Sequence, residues 1–241
     1  SVALMRLLLC VAHAALDGPR DYYDWCEVPA GLHKAAPGYL EQWRDSFELF
    51  GTKTPWLQVA ELSASNSKQT STSKLCFSYA TGNNTTLFDH GGMTEFRQMA
   101  DCELALAVLT YQCFSPGGLI SQVYWGETRT TKSSKDAPCV PASMVHTLLR
   151  GSSLFEYIHL NLPSHEDIQF SYGKTEIGSP LWECLPESPD DEPNIKNATE
   201  TYLGRLVPLA RFIRLDTNRE SMLLGAGLAY PTFTDGFPQE P

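Results

Sequence analysis

LALAVLTYQCF, residues 104–114, runs directly into Ser115-Pro116-Gly117-Gly118, and the fold is read outward from this junction. The apolar run is long enough for a core helix, and the pattern predicts one from about Thr94 to Phe114. Proline lacks the donor a helix needs and disfavours helical geometry in the residue before it. Paired glycines then leave a backbone with almost no side chain to keep a bulky partner away. The junction therefore predicts a rigid helix end that presents main chain as a contact surface. Beside it are placed a glycine- and asparagine-rich loop, Tyr79 to Gly92, and a basic loop, Arg129 to Lys135. Such a grouping suits gripping something large better than catalysing a reaction.

Upstream, Ala3 to Leu16 carries Leu4, Leu7, Leu8, Val11, Ala12 and Ala15 at helical spacing, with Gly18-Pro19 as the stop. Arg6 and His13 interrupt this run, which argues against a secretory signal, and it is too short to span a bilayer. Asp21 to Val28 reads as a short aromatic turn or helix. Tyr39 to Phe50 reads as an amphipathic helix with Tyr39, Leu40, Trp43, Phe47 and Phe50 on one face. Thr54 to Val59 is expected to enter the core as a short extended segment, and Leu62 to Lys74 reads as a Ser/Thr-rich linker.

Downstream, strands are expected at Leu75–Tyr79, Gly118–Trp125 and Leu154–Leu160, and a short helix at Ser143–Leu149. Leu185 to Asn194 reads as a solvated linker, and structure resumes at Thr199–Leu215. The expectation is an α+β chain, one irregular domain over 1–241 that mixes helices with short sheets. Mobile linkers are expected near 62–74, 79–92, 127–138 and 185–198. Opening on a core helix implies that the sequence begins inside a longer protein.

With 241 residues, 42% hydrophobic and 11% aromatic, the chain can form a sizeable core. A net charge of -10 argues against nucleic-acid binding through the overall field, so any such binding must be local. Seven cysteines without a CxxC pair read as reduced, mostly buried thiols in a cytoplasmic protein. The glycosylation sequons at Asn83, Asn84 and Asn197 carry weight only in a secreted chain, which disulfide mapping would settle.

Motifs for chemistry are sparse. Asp89, His90 and Glu95 lack a second histidine at ligand spacing, so no metal site is expected, and Asp89 is read instead as a brace for the loop around Gly91-Gly92. No nucleophile elbow and no nucleotide-binding glycine fingerprint occurs, and no cofactor is expected. Arg129, Lys132 and Lys135 are spaced to follow a phosphate backbone, with a solvated surface loop as the alternative. Arg205, Arg211 and Arg214 alternate with apolar residues on what reads as a strand, where they would meet phosphate or acids, or guard an edge. The competing reading is a small-molecule or carbohydrate-processing enzyme using a cleft around Tyr124, Trp125 and Asp89.

Taken in order, the leucine-rich first helix with Gly18-Pro19, YLEQWRDSFELF, PWLQV, ATGNNTTLFDHGG, CFSPGGLI, SSKDAPCVPASMVHTLLRG, HLNLP, the Trp182 segment and YLGRLVPLARFIRL resemble the CasA family, the large subunit of the type I-E CRISPR Cascade complex. That resemblance implies a non-enzymatic DNA-recognition subunit in antiviral defence. Its irregular N-terminal domain would be present here without the family's C-terminal four-helix bundle. It implies that Ser115, Pro116, Gly117 and Gly118 form the glycine loop that approaches the protospacer-adjacent motif (PAM) from the minor groove. Ser78 to Gly92, with Phe77, Tyr79, Asn83 and Asn84, would anchor the subunit near the guide RNA. The implied partners are double-stranded target DNA, guide RNA, the other Cascade subunits and the helicase-nuclease, with no membrane. The family's further motif-reading lysine has no counterpart near Leu228 to Tyr230, and its glutamine wedge would fall past Pro241.

Overall fold

The computed structural model describes residues 2–64, 69–81, 89, 98–132, 137–138, 145–173 and 175–232. Helix α1 (Val2–Leu16) forms where the spacing places it, but its buried face differs from the leucine stripe. Leu4 is exposed, whereas Arg6 and His13 are buried beside Ala3, Cys10 and Ala12. Arg6 is accommodated because it serves a helix end. Its Nε donates to Leu206 O at 2.8 Å and its Nη2 to Arg205 O, carbonyls that the last turn of α7 (Tyr202–Leu206) leaves without helical partners.

A single helix α2 (Tyr22–Gln42) replaces the turn at 21–28 and the start of the helix expected at 39–50. Asp21 caps it by accepting from Asp24 N at 2.9 Å, and the helix continues through Pro29 and Pro37. Proline at 29 removes the donor that would bond Trp25 O. His159 Nε2, on α4 (Leu154–Leu160), lies 2.9 Å from that carbonyl and supplies the missing partner. After Trp43 the chain tightens into a 3₁₀ turn, Arg44–Phe47, so Tyr39, Trp43, Phe47 and Phe50 reach the core edge from separate segments.

The Ser/Thr-rich stretch is not a plain linker. Leu62–Ala64 is β1, Thr70–Ser71 is β2, and Thr72–Leu75 is a 3₁₀ turn capped by the Ser71 hydroxyl, where Leu75–Tyr79 was expected as a strand. Short hydroxyl side chains hydrogen-bond nearby amides and so favour such turns. LFEYIHL is helix α4 rather than a strand, because Ser153 caps its first turn and Glu156 holds the residue before the cap. Ser153 accepts from Glu156 N at 3.2 Å, and Glu156 reaches back to Ser152 N at 2.7 Å.

The helix read from Thr94 begins at Asp101 as α3 (Asp101–Phe114), with Glu103 accepting from Ala100 N at 3.0 Å. The strand read from Gly118 begins at Val123. Residues 145–149 carry no helix, and 143–144 lie outside the described residues. The solvated linker at 185–194 gives way to α6 (Glu192–Glu200), with Asp191 as its cap and Asn194 buried. Asn197 on α6 is committed to structure, its amide donating to Ser179 O at 2.8 Å.

Among the described residues two small antiparallel sheets form. One has the order β1–β3–β4, with β3 Val123–Trp125 and β4 Thr128–Arg129. The other has the order β2–β6–β5, with β5 Arg211–Leu215 and β6 Ser221–Ala226. They meet closely: the Trp125 ring stands edge-on to Phe212 at 5.1 Å, and a Cβ at Gly225 would lie 2.4 Å from Val123 Cγ2. Helix α1 packs against α3 and α7, α3 is joined to β5 through Gln112 and Arg211, and α5 (His165–Tyr172) caps the far end of α1, with His165 N donating to Pro19 O at 2.9 Å. Among the described residues, Cys10 and Cys113 are buried thiols, but Cys26, Cys102 and Cys184 are exposed, so the expectation of mostly buried cysteines is too broad. No helix of the described residues is long and apolar enough to cross a membrane.

Candidate nucleic-acid interface

Helix α3 ends as its sequence requires. Ser115 adopts extended geometry, φ -62° and ψ 134°, in front of Pro116. Ser115 is buried while Pro116, Gly117 and Gly118 are exposed, so the chain surfaces within one residue. Gly118 has φ +134°, and a Cβ there would meet nothing within 4 Å. The turn thus faces open space in a conformation that favours glycine.

Two buried polar side chains support the turn from behind. Gln112, on the last turn of α3, donates to Leu57 O at 2.9 Å and to Arg211 O at 2.8 Å, and it accepts from Arg211 N at 2.8 Å. Arg211 in turn donates from Nη1 to Ala210 O at 2.6 Å and from Nη2 to Pro116 O at 2.9 Å. Both side chains are essentially inaccessible to solvent. A buried guanidinium is tolerable only with its donors satisfied, and here carbonyl oxygens satisfy them.

That geometry corrects the arginine reading. Arg211 holds the glycine turn and faces no solvent, Arg205 is buried on α7, and Arg214 donates to Leu62 O at 2.6 Å. Arg205 and Arg211 are buried away from any phosphate, whereas Arg214 is exposed with its Nη1 committed to the Leu62 carbonyl. Sequence reasoning passed over Gln112. Its only signal was a polar residue at a core position of LALAVLTYQCF.

The other candidates fall around the same helix end. Ile120 N donates to Lys132 O at 3.0 Å, which ties the segment after the turn to the basic loop. The pairing continues through Thr130, whose backbone N donates to Val123 O at 2.9 Å and whose hydroxyl accepts from Val123 N at 3.0 Å. Lys132 and Arg129 are both exposed, and the Arg129 guanidinium lies 6.0 Å from the Tyr124 ring centre. Two residues of chain separate Arg129 from Lys132.

Phe77 stacks on Tyr111 of α3 with ring centres 5.7 Å apart and planes 22° apart, and it stays half-exposed. Tyr79 N donates to Cys76 O at 3.1 Å, and Asp89 closes the loop neck by accepting from Ala80 N at 2.6 Å. The brace expected of Asp89 therefore acts at Ala80. Lys135, Asn83, Asn84, His90, Gly91, Gly92 and Glu95 lie outside the described residues.

Of the residues read as an enzyme cleft, Trp125 lines one, without Tyr124 or Asp89. Trp125 is buried, and its Nε1 donates to Glu61 at 3.3 Å. A cleft of about 450 Å³ beside it is lined by Lys53, Glu61, Leu181 and Glu187 among others, and Asp89 is not in that lining. Among the described residues no cluster of His, Cys, Asp and Glu is arranged to hold a metal ion.

Comparison with known proteins places this geometry in a family. Residues 1–241 match the family model described as CRISPR-associated protein Cse1. A CRISPR-associated CasA/Cse1 protein of Thermus thermophilus is 37% identical over 187 residues, which cover 76% of this chain and 34% of that protein. The chain thus spans about a third of the length of the curated relative it matches. The crystal structure of Thermus thermophilus CasA superposes with a TM-score of 0.66 at 28% identity, covering 96% of this chain and 44% of that one. A chain of a CRISPR RNA-guided surveillance complex shares the fold, with a TM-score of 0.66 at 16% identity over 100% of this chain and 52% of its own. By the match along its whole length, the chain belongs to the CRISPR-associated Cse1 family.

Proposed function

We propose that this chain is the DNA-sensing part of a subunit in a cytoplasmic, RNA-guided CRISPR surveillance complex, and that it acts by binding rather than by catalysis. The turn at Ser115–Gly118 lies against the minor groove beside the PAM. Lys132, Arg129 and Lys135 hold adjacent phosphates. The loop that begins at Phe77 and Tyr79 anchors the subunit near the guide RNA. Pairing with the guide RNA then reads the target sequence, while the protein reads the short motif and the shape of the duplex. Loading of target DNA and recruitment of the helicase-nuclease belong to the same reading, as does the view of the chain as one domain.

The observation that carries the proposal is the turn itself: exposed main chain with no side chain in front of Gly118, backed by a buried guanidinium and flanked by Lys132. Bare peptide units follow a narrow groove without steric conflict, and a few cations suffice locally despite the net charge of -10. Replacing Gly117 and Gly118 together with valine in the full-length subunit, within the assembled complex, is expected to weaken target-duplex binding at least about tenfold, or ~1.4 kcal/mol. Unchanged affinity in a complex that still assembles contradicts the proposal.

A further inference from the structure

We infer that Arg211 is a positioning residue for the glycine turn. It orients the Pro116–Gly117 peptide so that the turn offers its partner a hydrogen-bond donor, the Gly117 amide. The inference rests on the reading of this turn as the DNA-contacting surface and specifies how contact is made. The Pro116 carbonyl points inward, because it accepts from Arg211 Nη2 at 2.9 Å and the Arg211 side chain is buried. Among the described residues the cis peptide is Gly18–Pro19, so Pro116–Gly117 is trans. In a planar trans unit the N–H points opposite to the C=O. With the carbonyl turned into the core and Gly117 exposed, the amide hydrogen faces out.

Arg211 is held in its own place. Its backbone N–H and C=O are both taken by Gln112, at 2.8 Å each, and its Nη1 is taken by Ala210 O at 2.6 Å. Flipping the peptide would point Pro116 O at solvent and leave a buried guanidinium donor without that acceptor. One hydrogen bond to a charged group biases the two orientations roughly ten- to hundredfold. The donor-out state is therefore preset before any partner arrives, and binding need not select it.

A turn that donates fits an acceptor. On a duplex the acceptors within reach are the minor-groove atoms, adenine N3 and thymine O2, and the phosphate oxygens. At position 117 alanine keeps the backbone N–H and proline deletes it.

In the assembled complex, Gly117→Pro is expected to bind target duplex at least tenfold more weakly than Gly117→Ala. Arg211→Met is expected to match the proline variant, and Arg211→Lys to recover part of the loss by retaining one donor. Duplexes carrying 3-deazaadenine in the motif, or a methylphosphonate at the adjoining backbone, delete a base or a phosphate acceptor respectively. Whichever duplex abolishes the difference between the alanine and proline variants identifies the acceptor.

Equal binding by the alanine and proline variants overturns the inference even if Arg211→Met fails to fold. So does unchanged binding by a folded Arg211→Met, whereas a difference that survives both acceptor deletions leaves thymine O2 as the acceptor. If the Gly117/Gly118 valine pair has no effect, it is the placement of the site that fails. If the valine pair weakens binding while alanine and proline behave alike, only the orientation imposed by Arg211 fails.

Discussion

His13 makes the stability of this chain depend on pH in a calculable way. Its ring is buried on α1, stacked on His165 at 6.1 Å and edge-on to Tyr202 at 5.4 Å, and neither ring nitrogen meets a hydrogen-bond partner among the described residues. Burial, reinforced by the neighbouring His165, holds its pKa at about 3, against an ordinary value of 6.5. Burial also lowers the pKa of His165 itself.

Between those two values for His13 the unfolded chain binds a proton that the folded chain does not, so stability rises with pH across this window. The contribution is complete above pH 6.5 and is lost as pH falls toward 3. At pH 5 the loss is about 2 kcal/mol, with a ceiling of about 5 kcal/mol below pH 3. His13→Leu removes the titrating group and keeps an apolar side chain in the site. Urea unfolding at pH 7.5 and pH 5.0 should show the parent losing about 2 kcal/mol more than the variant over that interval. Parallel losses in the two proteins would refute the assignment of this acid sensitivity to His13.

Other substitutions probe the scaffold and the surface separately. Gln112→Leu strips partners from Arg211 N, Arg211 O and Leu57 O and should cost about 3 kcal/mol or more in denaturant unfolding, with one buried group left unpaired at each. Gly225→Ala puts a methyl 2.4 Å from Val123 Cγ2 between the two sheets and should destabilise by about 1–3 kcal/mol, read as a lowered Tm. Lys132→Ala and Arg129→Ala should each leave stability near that of the parent. Each should also reduce the slope of log affinity against log salt by about 0.9 for duplex DNA in the assembled complex, and an unchanged slope removes that residue from the phosphate contacts.

The parts of this chain legible in its sequence are those set by local chemistry. Pro116 after an apolar run ends α3 at Phe114 without tertiary help, and Gly18-Pro19 follows the end of α1 for a similar reason. What was not legible depends on distant partners. Helix α2 runs through Pro29 because His159, far along the chain, bonds the orphaned Trp25 carbonyl. LFEYIHL is the exception: it looks like a strand by composition, and the signal that marks it as a helix is local, the Ser153 cap on Glu156 N.

The site divides in the same way. The glycine turn and the exposed Lys132 follow from residue type, and the hydrogen bond between Ile120 and Lys132 brings them together. Arg211 has the look of a surface cation in sequence, yet its donors end on Pro116 O and Ala210 O inside the core. Nothing local distinguishes an arginine that meets a ligand from one that holds up the residue that does.

The central claim is that exposed peptide units at the end of α3, with a few neighbouring cations, touch the target duplex. The most direct measurement is the distance from Gly117 N to the nearest duplex acceptor in a structure of the assembled complex holding target DNA. The account predicts a hydrogen bond, within about 3.2 Å. A duplex that passes elsewhere, leaving residues 115–118 in solvent, contradicts it.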